Sequence, residues 1–466
     1  MGFRKEHDFL GELNIPDDAY YGVQTMRAMD NFKISNYAIS SCPALIRAFA
    51  YVKKAAAMAN AELGVLPANI CKGICAACDD LLDGKLHEQF PVDAIQGGAG
   101  TSTNMNANEV IANRALEIMG HKKGEYEFCH PNNHVNCSQS TNDTYPTAFR
   151  LALYQELSEF MPKLEYLQKG FAQKGIEFSD VVKMGRTQLQ DAVPMTLGQE
   201  FSAYSTTISE DIQRIDENRK LLLEINLGAT AIGTGINAPA DYSRVVCAHL
   251  RNLTGLKVVT SDNLVEATWD TGCYVQISGV LKRVAVKLSK ICNDLRLLSS
   301  GPRTGINEIN LPRLQPGSSI MPGKVNPVIP EVVNQICFDV IGKDVTITMA
   351  AEAGQLELNV MEPIIAHSLF RIVERLGRAA MTLQDKCVSG ITANKDRCYE
   401  LVVGSIGIIT NLVPVIGYEV SAAVAKEALA SGRSVADIVL EQGHLTKEQL
   451  DKLLAPEQMT RPARAQ

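Results

Sequence analysis

Long apolar repeats constrain the fold of this chain more than any other feature of its sequence. Between residues 153 and 171, and again between residues 277 and 298, large apolar side chains recur at alternating steps of four and three residues. Such a repeat aligns the apolar side chains along one seam of a helix, and helices with such seams pack lengthwise. A third, less complete seam lies between residues 201 and 222. The seams predict helices of about 25–35 residues that build a bundle.

The predicted fold class is mainly α, and the length of 466 residues suggests two to three domains. We expect an N-terminal, mostly helical domain over residues 1–142 and a central long-helix bundle domain over residues 143–394. Glycines and short periodic segments predict a small C-terminal helical domain over residues 395–466. The segment 345–351 is typical of a helix that is buried on more than one side, which favours an oligomer with a shared helical core.

The bulk composition argues against several classes of function. The formal net charge is −7, aromatic residues make up 6% of the chain, and no basic run is present, so nucleic acid is not an expected partner. No apolar run reaches the length needed to span a membrane. The N-terminal segment is charged and lacks a hydrophobic signal region. We therefore expect a cytoplasmic protein with neither a nucleic-acid nor a membrane partner.

The 12 cysteines are expected to be reduced, because disulfides are rare in the cytoplasm. Cys71, Cys75 and Cys78 fall on one face of a predicted helix. Their Ala-rich surroundings favour core packing over a metal cluster. The paired spacing of zinc sites is absent from the sequence, so no metal ligands are assigned.

Residues 317–327, with the sequence GSSIMPGKVNP, are predicted to form a loop, because their glycines and prolines oppose a regular helix or central strand. Lys324 can bind a carboxylate by its charge, and Asn326 can do so by donating hydrogen bonds. Ser318 or Ser319 could remove a proton, provided that the loop stabilises the deprotonated oxygen. The pattern indicates chemistry on a small carboxylic acid.

The sequence of this loop allows two other interpretations. A phosphate-binding loop is disfavoured, because five residues separate Gly317 from Gly323 and Val325 follows the lysine, where serine or threonine would be required. An ordinary surface loop stays open as an interpretation of this segment taken alone.

Two further polar clusters, residues 98–106 and 138–146, stand where helices are predicted to begin. Helix N-termini leave backbone N–H groups without partners and attract anions. Both clusters are therefore suited to bind carboxylates. Thr101, Ser140 and Thr141 could equally be simple helix caps.

Four ordered segments, GAGTSTNMN, QSTND, MGRTQLQDA and GSSIMPGKVNP, resemble the motifs of the aspartase/fumarase superfamily. The resemblance covers essentially the whole chain. Enzymes of this superfamily add or remove a group across the double bond of fumarate or of a fumaryl substituent. The resemblance implies a three-domain subunit whose long central helical bundle assembles into a tetrameric multi-helix core. It also implies a homotetramer in which three subunits share each active site.

The resemblance implies roles for individual residues. Ser318 corresponds to the catalytic base, carried on a loop that closes over the substrate. Glu331 corresponds to a residue that would support Gln188. The residues that correspond to substrate-binding positions are Thr101, Ser140, Thr141, Asn142, Thr187, Gln188, Ser319, Lys324 and Asn326.

Three positions favour ammonia over water as the leaving group. Thr141 stands where fumarases usually have a second serine, and the residues after Pro327 depart from the Thr-Gln that fumarases usually carry. Gln188 stands where fumarases, and some of their ammonia-eliminating relatives, have histidine. Glutamine cannot transfer a proton at neutral pH. An ammonium group already carries its proton, whereas hydroxide needs a proton before it can leave as water.

We therefore expect reversible deamination of L-aspartate to fumarate and ammonia by anti elimination. In this expectation Ser318 abstracts the Cβ proton and gives an enediolate, or aci-carboxylate, intermediate. Hydration of fumarate to L-malate is the alternative reaction, and a non-enzymatic structural relative of the superfamily is the alternative of a different class. No cofactor is expected to be required, and activation by a divalent cation stays open.

Overall fold

Helices dominate the computed structural model, which describes residues 2–461. The predicted mainly α fold is confirmed. The helices are α1 (Val23–Asn31), α2 (Pro43–Glu62), α3 (Ala68–Leu82), α4 (Thr101–Ile118), α5 (Thr141–Glu177), α6 (Leu197–Arg219), α7 (Tyr242–Thr254), α8 (Glu266–Trp269), α9 (Gly272–Leu298), α10 (Val328–Glu352), α11 (Glu362–Lys386), α12 (Lys395–Val403), α13 (Val413–Ile416), α14 (Tyr418–Ser431), α15 (Val435–Glu441), α16 (Lys447–Leu453) and α17 (Pro456–Met459).

The short strands pair two by two. They are β1 (Phe3–Asp8), β2 (Gly11–Pro16), β3 (Val182–Thr187), β4 (Gln190–Thr196), β5 (Glu224–Ile225), β6 (Val259–Thr260), β7 (Ile309–Asn310) and β8 (Thr392–Ala393). The pairs β1–β2, β3–β4 and β7–β8 are antiparallel, and β5–β6 is parallel. Within residues 2–461, no helix is both long enough and apolar enough to cross a membrane.

The predicted apolar seams lie on long helices. Residues 153–171 belong to α5, which has 37 residues, and residues 277–298 belong to α9, which has 27 residues. The third seam differs from the prediction, because α6 ends at Arg219 after 23 residues. The chain continues in a 3₁₀ turn, Lys220–Leu223, whose Leu222 is still buried. The apolar pattern therefore reports burial correctly there, although the tighter turn ends the α-helix.

The described chain divides into two compact units. Unit 1 comprises the chain up to Met161 together with Gln213–Arg283 and Asp339–Leu376. Unit 2 comprises Pro162–Ile212, Val284–Phe338 and the chain from Gly377 onwards. The three-domain division at residues 142 and 394 stays a prediction.

In unit 1, small residues let α2, α3 and α4 pack closely. The inward side of α2 is rich in buried alanines, and α2 begins at Pro43, whose missing N–H costs nothing in a first helical turn. A Cβ at Gly73 of α3 would lie 3.0 Å from Sδ of Met119, at the end of α4. From α4, the buried Glu109 carboxylate accepts backbone N–H groups of Gly22 and Gln24 and so holds the start of α1.

In unit 2, the short C-terminal helices share a hydrophobic core with strand β3. Val182 and Met184 of β3 pack with side chains of α12, α14, α15 and α16, among them Val402, Ile438 and Leu450. The strand pair β3–β4 is thereby held on one face, and its turn projects from the packed part of the hairpin.

Candidate active site

The start of α5 carries three of the residues predicted from the sequence. The hydroxyl Oγ of Ser140 accepts the backbone N–H of Asn142 at 3.2 Å, and the Asp143 carboxylate accepts the backbone N–H of Ser140 at 2.9 Å. Ser140 is therefore a helix cap, as one of the two interpretations predicted. Thr141 is almost buried, and its Oγ1 accepts a hydrogen bond from Nδ2 of Asn104 at 3.0 Å.

The start of α4 packs directly against α5. Gly100 has a φ of 89°, and a Cβ there would lie 2.3 Å from the ring of Tyr145, so a side chain at this position would collide with α5. The next residue, Thr101, is exposed, and its hydroxyl donates to the carbonyl of Gly98 at 2.7 Å. The two polar clusters predicted to bind anions thus belong to neighbouring helix N-termini of unit 1.

A buried lysine, which the sequence did not predict as part of the site, contacts the segment that leads into α5. Nζ of Lys53, on α2, donates to Oδ1 of Asn136 at 2.9 Å and to Oε1 of Gln139 at 3.0 Å. Oδ1 of Asn136 also accepts from Nδ2 of Asn104, which holds Thr141. Burial lowers the pKa of Lys53 to about 7. The network connects α2, α4 and the segment that leads into α5.

A second buried network holds the other side of the α5 N-terminus. Besides the Ser140 N–H, the carboxylate of Asp143 accepts the N–H groups of Gly228 and Thr230 at 3.0 and 2.9 Å. Burial raises the pKa of Asp143 to about 6, while the donated hydrogen bonds oppose this shift. Nδ2 of Asn142 donates to the carbonyl of Ala231 at 2.7 Å. The side chain predicted to lie near the leaving group is therefore oriented by the segment after β5.

In unit 2, Thr187 and Gln188 lie at the tip of the β3–β4 hairpin. Gln188 and Leu189 form a two-residue turn with φ values of 55° and 62°, the backbone twist that favours tight hairpins. Thr187, Gln188 and Leu189 are all exposed. At the base of the hairpin, the fully buried Glu308 forms ion pairs with Lys183 and Arg186, each at 2.9 Å. The tip is therefore exposed while its base is firmly held.

The segment GSSIMPGKVNP forms the predicted loop between β7 and α10. Oγ of Ser318 accepts two backbone N–H groups, from Ile320 at 3.2 Å and from Met321 at 3.0 Å. Two such donors stabilise negative charge on an oxygen. Ser318 is half-buried, whereas Ser319 is exposed. A serine that removes a proton needs its deprotonated oxygen stabilised, and the loop offers donors for this from its own backbone.

The two ends of the loop are tied together near Gly317. Its N–H donates to the carbonyl of Lys324 at 2.7 Å, and its carbonyl accepts Nδ2 of Asn326 at 2.7 Å. The ammonium-bearing side chain of Lys324 is exposed. Lys324 and Asn326 line a cavity of about 540 Å³ together with polar residues of unit 2 that include Ser300, Asn307 and Arg313. The positive charges of the basic side chains that line this cavity favour the binding of anions.

The predicted residues form three groups, one of which is the pair Thr187 and Gln188 at the tip of the β3–β4 hairpin. In unit 1 the structure brings together Ser140, Thr141 and Asn142, with Thr101 on the adjacent helix start. In unit 2 it brings together Ser318, Ser319, Lys324 and Asn326 on one loop, while Glu331 lies half-buried in the first turn of α10. Lys53, Asn104 and Asp143 were missed. The long sequence separation of Lys53 from its partners left no local signal for it.

Two known family models match most of the chain. Residues 11–342 match the family model described as "Lyase", and residues 408–461 match that described as "Fumarase C C-terminus". Both matches agree with the family predicted from the four sequence motifs.

Known relatives and solved structures give the same assignment. The chain is 61% identical to the aspartate ammonia-lyase of Helicobacter pylori, over 98% of each chain. A crystal structure of fumarate lyase:delta crystallin from Brucella melitensis bound to cobalt aligns with a TM-score of 0.96 at 55% identity and covers 99% of this chain and 100% of that one. The class II fumarase of Schistosoma mansoni aligns with a TM-score of 0.93 at 35% identity, over 99% of both chains. The chain therefore belongs to the lyase family, within the aspartase/fumarase superfamily.

Proposed function

We propose that the protein is a carbon–nitrogen lyase that interconverts L-aspartate with fumarate and ammonia. The observation that carries this proposal is Ser318, whose hydroxyl accepts two backbone N–H groups on a loop that also carries Lys324. The identity of 61% to an aspartate ammonia-lyase over 98% of both chains supports the choice of substrate. The fold alone does not select the substrate, because a class II fumarase shares it at 35% identity.

Ser318 acts as the base in this proposal. Its deprotonated oxygen takes the proton from Cβ of L-aspartate, and the two backbone N–H groups lower the cost of the negative charge on that oxygen. The electrons of the broken C–H bond move onto the adjacent carboxylate and give an enediolate. The C–N bond on the neighbouring carbon then breaks on the opposite face, and fumarate and ammonia form.

The enediolate carries a second negative charge, which needs preorganised donors. Lys324, Asn326 and Thr187 provide a cation, an amide N–H and a hydroxyl for this carboxylate. A single donor of this kind is worth about 2.7–4 kcal/mol in the transition state. The exposed side chain of Lys324 and the basic lining of the neighbouring cavity support this assignment.

The α5 N-terminus binds the other end of the substrate. Thr101, Ser140 and Thr141 offer hydroxyls to its second carboxylate and amino group, and the helix N-terminus attracts the negative charge. Asn142 lies near the leaving group. Ser319 contributes a further hydroxyl from the loop.

Ammonia as the leaving group is consistent with Gln188. The side chain is exposed at the hairpin tip and can orient a substrate group but cannot donate a proton as an acid. A fumarase needs such an acid to release hydroxide as water. Glu331 supports Gln188 rather than acting as an acid itself.

The active enzyme is a homotetramer in which three subunits contribute to each active site. Large apolar side chains on α10 support this proposal, because Phe338 is 60% exposed, Val345 56% and Met349 67% in the single chain. Val345 and Met349 belong to the segment 345–351, for which the sequence predicts burial on more than one side. Further copies of this chain would cover this surface.

Activation by a divalent cation stays open, as the sequence left it. The related Brucella melitensis structure is described as bound to cobalt. Among residues 2–461, however, no three histidine, cysteine, aspartate or glutamate side chains stand together in a group that could hold a metal ion. A cytoplasmic location likewise remains a prediction from the sequence.

The first experiment compares substrates directly. Purified protein is given L-aspartate and, in parallel, L-malate, and the ultraviolet absorbance of fumarate is followed. Fumarate is expected from L-aspartate and not from L-malate. Activity on L-malate alone would assign a fumarase and contradict the argument from Gln188. If neither substrate gives fumarate, although the tetramer is confirmed, a non-enzymatic structural relative would be favoured.

A further inference from the structure

Two cysteine thiols form a close pair on helix α3, away from the residues assigned to catalysis. Sγ of Cys71 lies 3.9 Å from Sγ of Cys75, one helical turn further on. Both side chains are half-buried, whereas Cys78 on the same face is fully buried. Core packing, as predicted from the sequence, therefore describes Cys78. The other two thiols remain partly accessible in the single chain.

The local charges favour a reactive pair. The hydrogen bond with Cys75 lowers the pKa of Cys71 to about 7, and the same contact raises the pKa of Cys75. One proton thus leaves the pair more readily than the second, as in other coupled pairs. The Lys54 ammonium on α2, which is paired with Asp79, opposes the rise at Cys75. The Lys54 cation thus favours loss of a proton from Cys75, and thiolates react faster with electrophiles than thiols do.

The distance between the sulfurs distinguishes two kinds of chemistry. A disulfide bond is about 2.05 Å long, so both sulfurs would have to move together by nearly 2 Å, and an oxidant would be needed. A single atom placed between the sulfurs needs neither. Two sulfurs 3.9 Å apart can both bond to one such atom as a two-sulfur chelate. Soft thiolate pairs select soft, thiophilic atoms.

We propose that Cys71 and Cys75 form a dithiol site that chelates thiophilic agents of the trivalent arsenical class through both sulfurs. With phenylarsine oxide as the probe, each thiol gives up its proton and forms one sulfur–arsenic bond. The arsenic–oxygen bond breaks, and the oxygen leaves as water with the two protons. The oxidation state of arsenic does not change, so the step requires no oxidant or reductant.

The test uses the full-length tetrameric protein with phenylarsine oxide in the presence of excess 2-mercaptoethanol, which removes arsenic held by a single thiol. Intact-protein mass spectrometry counts the retained arsenical on the wild type and on the variants Cys71→Ser, Cys75→Ser and Cys42→Ser. Cys42 provides the matched control, because it is another half-buried thiol of unit 1 and burial raises its pKa to about 12. Circular dichroism establishes that each variant is folded.

One arsenical per chain is expected on the wild type and on Cys42→Ser, and a dithiol competitor should remove it. Loss of retention is expected for Cys71→Ser and for Cys75→Ser. Retention by either of these two variants would show that other thiols hold the arsenic and would overturn the proposal. Failure of the wild type to retain the probe would overturn it as well.

Discussion

The start of α5 and the loop of residues 317–327 are built in opposite ways. Around α5, side chains are buried and tied to three other segments by Lys53, Asn104 and Asp143. Around Ser318, the side chains are exposed or half-buried, and the loop is held mainly by hydrogen bonds within itself. A rigid, supported site suits the positioning of a substrate, whereas a loop with few outside contacts suits closure over it.

The largest effect is expected on the loop side of this comparison. Replacing Ser318 by alanine removes the proposed base, so kcat should fall by about 10²–10⁴-fold. The thermal unfolding temperature should barely change, because the hydroxyl bonds only within an exposed loop. Steady-state kinetics and calorimetry measure the two quantities. Ser319→Ala is the matched control and should retain far more activity. An equal loss in both variants would argue against Ser318 as the base.

Mixed tetramers test whether the two regions act from different chains. Thr101→Val removes a hydroxyl at the α4 start, and Ser318→Ala removes the base, so each variant alone should be impaired. If sites are shared between subunits, random reassembly of equal amounts restores both residues in roughly a quarter of the sites. Activity assays after dissociation and mixing measure the recovery. Verified mixed tetramers that stay as inactive as the parent variants would contradict shared sites.

For the buried network at the start of α5, the expected effect is on the free energy of unfolding and on how that free energy depends on pH. The pKa of Lys53 is about 7 in the folded chain, against an unfolded value of about 10.4. Between these values the unfolded chain binds more protons, so this residue makes the free energy of unfolding rise with pH, by about 2 kcal/mol from pH 7 to pH 9. Urea unfolding at both pH values measures the rise, and Lys53→Met should lack it.

The neighbouring lysine supplies the control for that measurement. Lys54 is partly exposed and paired with Asp79, so Lys54→Met should leave the rise between pH 7 and pH 9 in place and change stability by about 1 kcal/mol or less. If Lys53→Met keeps the full rise, the Lys53 ammonium is not the group responsible, and the proposed role of the buried network would need revision.

The smallest effect is expected at the hairpin tip. Because Gln188 is exposed and does not transfer protons, Gln188→Ala should lower kcat/KM for L-aspartate by about tenfold or less, the worth of one hydrogen bond. Its pH profile should keep the shape of the wild-type profile. A new ionisation in kcat, or a loss as large as that of Ser318→Ala, would indicate acid–base chemistry at this position.

The features that could be predicted from the sequence are those whose signal is local. The apolar seams of α5 and α9 depend on neighbouring turns of one helix, and the loop at 317–327 follows from its own glycines and prolines. Contacts that join distant segments could not be predicted from the sequence. Lys53 lies in an Ala-rich helix whose pattern indicates only burial, and its partner Gln139 is 86 positions away. The backbone donors to Ser318 depend on loop geometry, which residue types alone do not specify.

The double use of Asn326 has a consequence for altering substrate preference. Its amide closes the loop onto the carbonyl of Gly317, and it is also assigned to the substrate carboxylate. A Cβ at Gly317 would lie 2.7 Å from the Asn326 backbone nitrogen, so the partner position cannot compensate by gaining a side chain. Engineering for other acids would therefore be better started at the tip of the β3–β4 hairpin, whose base is held independently by Glu308, so that a changed side chain leaves the closure of the Ser318 loop intact.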